Sequence, residues 1–169
     1  MSSYPITPEG KEFLEQKLQH LRNVERFKIV KDIEEARAHG DISENSEYED
    51  AKERQALCEG MISDLEAKLS LSQVIDVTTL PGADLDPENE HKKIVFGATI
   101  VLEDEEGHNH VFRIVGVDES NVDKGYISIQ TPVAKALLGK CPGDTASVVL
   151  PKSKKEYEVI AVYYGDYAP

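Results

Sequence analysis

The 169-residue chain has no tryptophan and only two cysteines, Cys58 and Cys141. The cysteines lie far apart with no CxxC, which excludes a thiolate metal knuckle and a disulfide scaffold and suits a reduced intracellular protein. No run approaches the ~18 apolar residues of a spanning helix, and the start "MSSYPITPEGKEFLEQ" carries no apolar signal core. The expectation is a cytoplasmic protein with no membrane association. Basic residues are in deficit, 19 Lys and Arg against 32 Asp and Glu, for a net charge of −13. That balance argues against indiscriminate binding to a nucleic-acid backbone, so any RNA or DNA contact must be local or made with a partner's help. There is no phosphate-binding glycine loop, nucleophile elbow or HExxH.

Proline is missing from Glu9 to Leu80, where glycine occurs only at Gly10, Gly40 and Gly60. Such a stretch is free to be helical. Thr7 and Pro8 form a helix start, a capping hydroxyl followed by a proline whose missing N–H costs nothing there. Leu14, Leu18 and Leu21 are spaced four then three, the seam of a coiled coil. The register slips by one residue before Ile29, Ile33 and Ala36 resume the spacing, with Val24 bridging the gap. Gly40 ends the helix. A second seam, Ala51, Gln55, Cys58, Ile62, Leu65, Leu69 and Ser72, runs without a slip. Two helices of about 30 residues, each roughly 45 Å long, joined by a short turn, predict an antiparallel hairpin that projects as a rod.

Composition changes near residue 76, where prolines, spaced glycines and β-branched runs begin. This predicts two domains: residues 1–76 as the coiled-coil hairpin, its tip near 40–45, and residues 77–169 as a globular β-sheet domain. "LPGADLDPENEHKK" (residues 80–93) is an acidic loop or linker. "IVFGATIVLED" and "HVFRIVGVD" flank "EEGHN" as a β-hairpin. "QVIDVT", "YISIQ", "ASVVLP" and "YEVIAVYYG" are strands, and "TPVAKALLGK" is a short helix capped by Thr131. The fold class is α+β, with a small antiparallel sheet.

The turn "AHGDISENSEYEDA" concentrates charge, with six carboxylates at Asp41, Glu44, Glu47, Glu49, Asp50 and the nearby Glu53. Asp41 and Glu44 fit a helix cap with a reciprocating glutamate, with Ser43 as a competing cap. They equally fit a working tip. Two carboxylates are too few to hold Mg²⁺ alone, but could complete a metal site that another protein half-builds. Arg37, Lys52 and Arg54 flank the turn. They read either as solvated ion pairs (Arg37 with Asp41, Glu49 with Lys52, Asp50 with Arg54) or as a local phosphate-binding spot for RNA. His108 and His110 beside Glu105 and Glu106 are a weak metal motif. Cys58 sits in the seam, and Tyr157, Tyr163 and Tyr164 alternate imperfectly in the last strand, as packing residues do.

Six segments, "PITPEGKEFLEQKLQHL", "EEARAHGDISENSEYEDAKERQ", "CEGMISDLEAKLSLSQVID", "VFGATIVLED", "FRIVGVDE" and "ISIQTPVAKALLGKCPGD", span nearly the whole chain in order. With them the chain resembles the bacterial Gre-type transcript cleavage factors. The resemblance implies a coiled-coil hairpin and a C-terminal domain similar to FKBP-type prolyl isomerases. It implies a factor that docks on RNA polymerase, enters its secondary channel and stimulates the polymerase's own cleavage of backtracked RNA. The factor itself is not an enzyme. Asp41 and Glu44 fall on the family's tip acids, acting at the polymerase active site on its Mg²⁺, with no cofactor bound alone. Arg37 and Lys52 fall on the basic patch, with Arg54 nearby, facing the nascent RNA 3′ end; the free protein is expected to be a monomer. Lys52 stands where an arginine is expected, and keeps the charge without the bidentate fork. The acidic linker at residues 81–93 is longer than expected, and the tail "GDYAP" extends past the last strand. A channel-plugging transcription inhibitor of the same architecture and, remotely, a prolyl isomerase are the competing functions.

Overall fold

The computed structural model describes residues 3–40 and 45–167. Asp41 and Glu44 therefore lie outside the described residues. The chain divides into two compact units, residues 1–4 with 11–72 and residues 5–10 with 73–169.

Strand β1 (Tyr4–Ile6) precedes helix α1 (Pro8–His20), a π-helical turn (Leu21–Glu25), α2 (Arg26–Ala38) and α3 (Ser46–Leu71). Leu14, Leu18, Leu21, Ile29, Ile33 and Ala36 are all buried, as are Ala51, Cys58, Ile62 and Leu65 of α3. At about 1.5–3 kcal/mol for each fully buried large aliphatic side chain, this seam is the main stabilising term of the helical pair. Eight residues separate Leu21 from Ile29 where the heptad allows seven. The π turn absorbs the extra one: the Arg26 N–H bonds the Leu21 carbonyl five residues back, which widens one turn and returns Ile29 to the seam. Val24 does not bridge the gap; it is 36% exposed, because the wider turn carries it off the seam. The second helix has 26 residues, fewer than the 30 expected.

Three cross-helix ion pairs set the antiparallel register. Arg26 grips Glu59 with two bonds of 2.7 and 2.8 Å, Arg22 pairs with Glu66, and Arg54 reaches Asp32 at 2.9 Å. Exposed pairs contribute little energy individually, but a register shifted by one turn would break all three together.

Strand β2 (Ser72–Val74) pairs with β1. The second unit is built on β3 (Thr99–Asp104), β4 (Asn109–Val115), β5 (Tyr126–Ser128), helix α4 (Pro132–Leu137), β6 (Thr145–Leu150) and β7 (Ser153–Tyr163), in sheet order β5-β4-β3-β7-β6. β3 and β4 form the expected hairpin, Thr99 opposite Arg113 and Glu103 opposite Asn109. The sheet is not wholly antiparallel, because β5 runs parallel to β4. Two single-turn 3₁₀ segments, Val117–Glu119 and Val122–Lys124, carry the chain back between them, and no repeating pattern in the sequence marks that return. A β-bulge shifts β7 against β3, Val101 facing Ala161 and Leu102 facing Val159. It explains the broken alternation of the tyrosines, since Tyr157 and Val159 share a face that passes to Val162 after the bulge. Ile100, Leu102, Ile114, Val148 and Val159 form the core with Ala134 and Leu137 of α4, whose N-cap is Thr131 as expected.

Residues 80–93 are folded against this sheet. Lys92 is 3% exposed; its ammonium donates to the Leu85 carbonyl at 2.7 Å and lies 5.0 Å from the Tyr164 ring centre. Burial pushes its pKa down, against the pull of Asp84 and Asp86. At the other end of the chain, Glu119 clasps the N-terminal segment. It accepts from the Thr7 N–H and hydroxyl and from the Gly116 N–H. A side chain at Gly116 would sit 2.8 Å from the Pro5 carbonyl, so glycine is required there. Thr7 is 1% exposed. Glu119→Ala leaves its donors unpaired, and should cost about 2–3 kcal/mol in urea denaturation, whereas Glu119→Gln, which still accepts, should cost less.

Candidate functional site at the hairpin tip

The last buried residue of α2 is Ala36, and the chain leaves the helix through His39, whose N–H bonds the Ala36 carbonyl at 3.2 Å, and Gly40, with φ +125°. On the far side of the turn, α3 takes its N-cap from Asn45. The Asn45 Oδ1 accepts from the Tyr48 N–H at 3.1 Å, satisfying one of the free donors of the first turn. The Asn45 Nδ2 donates to the Ala36 carbonyl at 2.6 Å. A cap built from Asp41 with Glu44 would start a helix at residue 42; α3 starts at Ser46, so its cap does not need either carboxylate. Sequence reasoning missed Asn45 because Asp41, Ser43 and Asn45 rank alike as caps. The signal that separates them is distance to the first seam residue, Ala51.

The basic residues do not form one cluster. The Arg37 guanidinium lies over the Tyr48 ring, 5.7 Å from its centre. Lys52 follows Tyr48 by four residues, on the same helix face, and bonds Gln55 at 2.8 Å. Arg37, Tyr48 and Lys52 therefore share one side of the hairpin. Arg54 lies on the other, in a shallow groove it lines with Asp32, Glu35, His39, Glu47 and Asp50. Its partner is Asp32 across the seam, not Asp50, and His39 faces Glu47 at 3.3 Å. Lys52 bonds Gln55 where a pair with Glu49 was expected. Among the described residues, Arg37, Tyr48 and Lys52 thus line one side of the hairpin, and Arg54 lies among carboxylates on the other.

The remaining candidates are structural. His110 bonds Asp104 at 2.8 Å and packs against Phe112 and Tyr157; His108 lies 3.6 Å from Asp104 and 3.5 Å from Glu106. Among the described residues no group of three or more His, Cys, Asp or Glu is arranged to hold a metal ion. Cys58 is buried in the seam and Cys141 is a half-buried free thiol. Tyr163 packs edge-on against Tyr167, and Tyr164 donates to the Lys93 carbonyl. Among the described residues no helix is long and apolar enough to cross a membrane.

A helical hairpin joined to a mixed five-stranded sheet with one short helix is an α+β protein whose most distinctive chemistry sits at one turn. The family described as "Transcription elongation factor, N-terminal" matches residues 4–74, and "Transcription elongation factor, GreA/GreB, C-term" matches residues 89–164. The chain belongs to the GreA/GreB family of transcription elongation factors. It is 50% identical over 165 residues to the transcription elongation factor GreA of Ralstonia nicotianae and 48% to that of Verminephrobacter eiseniae, in each case covering 97% of this chain and 99% of the relative. Among solved structures, the GreA factor homolog 1 (Gfh1) protein of Thermus thermophilus is 30% identical, covering 96% of this chain and 99% of that one, with a TM-score of 0.41.

The Asp104 carboxylate accepts from His110 and from the His108 and Glu106 N–H groups, which hold its pKa down to about 2, led by the His110 bond. Because the folded value lies below the unfolded one, this stabilisation is present above pH ~4 and is lost as pH falls toward 2. Asp104→Asn should therefore lower the urea midpoint near pH 6, and its difference from the parent should close between pH 4 and pH 2.

Proposed function

We propose that this elongation factor inserts its hairpin into the secondary channel of bacterial RNA polymerase and stimulates the polymerase's own cleavage of backtracked RNA, rescuing arrested complexes. The observation that carries the proposal is the division of labour at the turn. Asn45 supplies the cap of α3, so that role does not fall to Asp41 or Glu44. Mg²⁺ requires six oxygen ligands and gives up water reluctantly, so two carboxylates would complete an ion site that the polymerase half-builds. In two-metal phosphodiester hydrolysis the second ion orients and activates the attacking water. Water would add to phosphorus as the bond from phosphorus to the upstream 3′ oxygen breaks, so that the released fragment carries a 5′ phosphate and the transcript keeps a 3′ hydroxyl at the active site. The factor contributes ligands and has no nuclease activity alone.

The two faces of the hairpin suit this task. Arg37 and Lys52 would receive the phosphates of the displaced RNA 3′ end, while the carboxylates around Arg54 repel nucleic acid and disfavour the reversed orientation. Arg54 serves the hairpin through Asp32. Outside the complex the factor acts as a cytoplasmic monomer and binds no metal of its own. A channel-plugging inhibitor is not favoured, and neither is a prolyl isomerase: two depressions of the sheet unit, one lined by Asp86, Glu88 and Asn89 and the other by Asp104, Glu105 and Glu106, are acidic, not apolar clefts for a proline ring.

The test is cleavage in halted, backtracked elongation complexes. Asp41→Asn and Glu44→Gln should each slow RNA shortening by at least about tenfold, as losses around a metal site do. Parental rates from either variant would remove the metal-positioning role. An inhibitor would lower synthesis without shortening the RNA.

A further inference from the structure

The Asn45 side chain bonds both of the helices that bracket residues 41–44. The Asn45 amide donates to the carbonyl of Ala36, the last buried position of α2, at 2.6 Å, and accepts from the N–H of Tyr48 in the first turn of α3 at 3.1 Å. Its orientation is fixed by its partners, since only the NH₂ end can meet a carbonyl and only the oxygen can meet an N–H. Among the described residues two other contacts cross the base of the turn. His39 with Glu47 is exposed, the side chains being 67% and 70% accessible, and its strength depends on salt and on protonation. Arg37 over Tyr48 has no directional bond. The Asn45 clasp is half-buried and directional, and it uses both ends of an uncharged amide.

We propose that Asn45 is a positioning residue for the tip: it fixes the end of α2 against the start of α3, the two ends between which the chain carries Asp41 and Glu44. The inference rests on the cleavage function proposed above. Capping requires only an acceptor, which Asn, Asp, Ser and Thr all provide. The bond to Ala36 requires in addition an N–H on an arm long enough to reach back across the turn. Asparagine alone among the good caps has both. The Ala36 carbonyl already receives the His39 N–H at 3.2 Å, so loss of the clasp leaves no buried orphan. What it removes is the tie between the helices, not a large share of stability. Misplacement of a reacting group by about 1 Å can cost up to 10²-fold in rate.

Asn45→Ser separates the two roles, because serine caps as well as asparagine but is one atom too short to carry an amide to Ala36. The full-length chain, Asn45→Ser, Asn45→Ala and Asp41→Asn are compared in the backtracked-complex assay, with melting temperature and half-saturating factor concentration measured alongside. The expected result is that Asn45→Ser keeps the parental melting temperature and half-saturating concentration while its rate at saturation falls at least about tenfold, and that Asn45→Ala loses rate and also melts earlier. A parental saturating rate for Asn45→Ser, with Asn45→Ala impaired only as far as it melts earlier, would make Asn45 a cap and nothing more. If Asp41→Asn slows cleavage while Asn45→Ser does not, this inference alone fails. If Asp41→Asn is also parental, the metal-positioning function fails and takes the inference with it.

Discussion

Burial of one narrow apolar seam between two antiparallel helices is the constraint on which the helical unit depends. A seam this narrow cannot tolerate drift: each residue out of register would expose a leucine or isoleucine on one helix and bury a charge on the other. The chain nevertheless carries one residue too many between Leu21 and Ile29. The π turn at Leu21–Glu25 takes up that residue locally, and the Arg26–Glu59 and Arg22–Glu66 pairs sit immediately beside it. Everything beyond the turn, including the end of the hairpin, inherits its azimuth from this adjustment. Without it, Ile33 and Ala36 would rotate off the seam by one residue's worth of helix, and Arg37 would leave the face it shares with Tyr48 and Lys52.

The same logic of a one-residue insertion recurs in the sheet. The bulge between Val101 and Leu102 on one strand and Ala161 and Val159 on the other lets β7 present Val159 and Val162 to one core despite their odd spacing. In both units an irregularity in the apolar pattern is the visible trace of a backbone irregularity. The helical slip could be seen in the spacing of Leu21 and Ile29, and the strand slip in the uneven tyrosines. What the pattern did not disclose was which backbone device would absorb each of them, because a skipped residue, a kink and a π turn leave similar spacings.

Other features divide along the same line. Local chemistry made Thr7–Pro8, Gly40, Thr131–Pro132 and the β3–β4 hairpin readable, since each depends on residues within a few positions of one another. The parallel return of β5, the pairing of β1 with β2 and the burial of Lys92 in the segment at 80–93 depend on partners far away in sequence, and no periodicity encodes them. At the tip, local rules favoured a cap other than the one α3 uses. Three residues within five positions could cap α3; the one used, Asn45, also bonds Ala36, nine residues earlier. Likewise proximity along the chain groups Arg54 with Arg37 and Lys52, whereas the hairpin's own register sends it to Asp32.

At the base of the turn Asn45 bonds both helices, and Arg37, Tyr48 and Lys52 lie on one side with Arg54 among carboxylates on the other; in the proposed mechanism Asp41 and Glu44 complete the shell of an ion that the polymerase holds. The most direct measurement of that central claim is the Mg²⁺ dependence of RNA cleavage in one halted complex, with the parental factor and with Glu44→Gln at saturating concentration. If the tip completes the ion's ligand shell, the variant should require at least about tenfold more Mg²⁺ to reach half its maximal rate. Superimposable Mg²⁺ curves would contradict the account, because they would mean that the factor's carboxylate does not touch the metal.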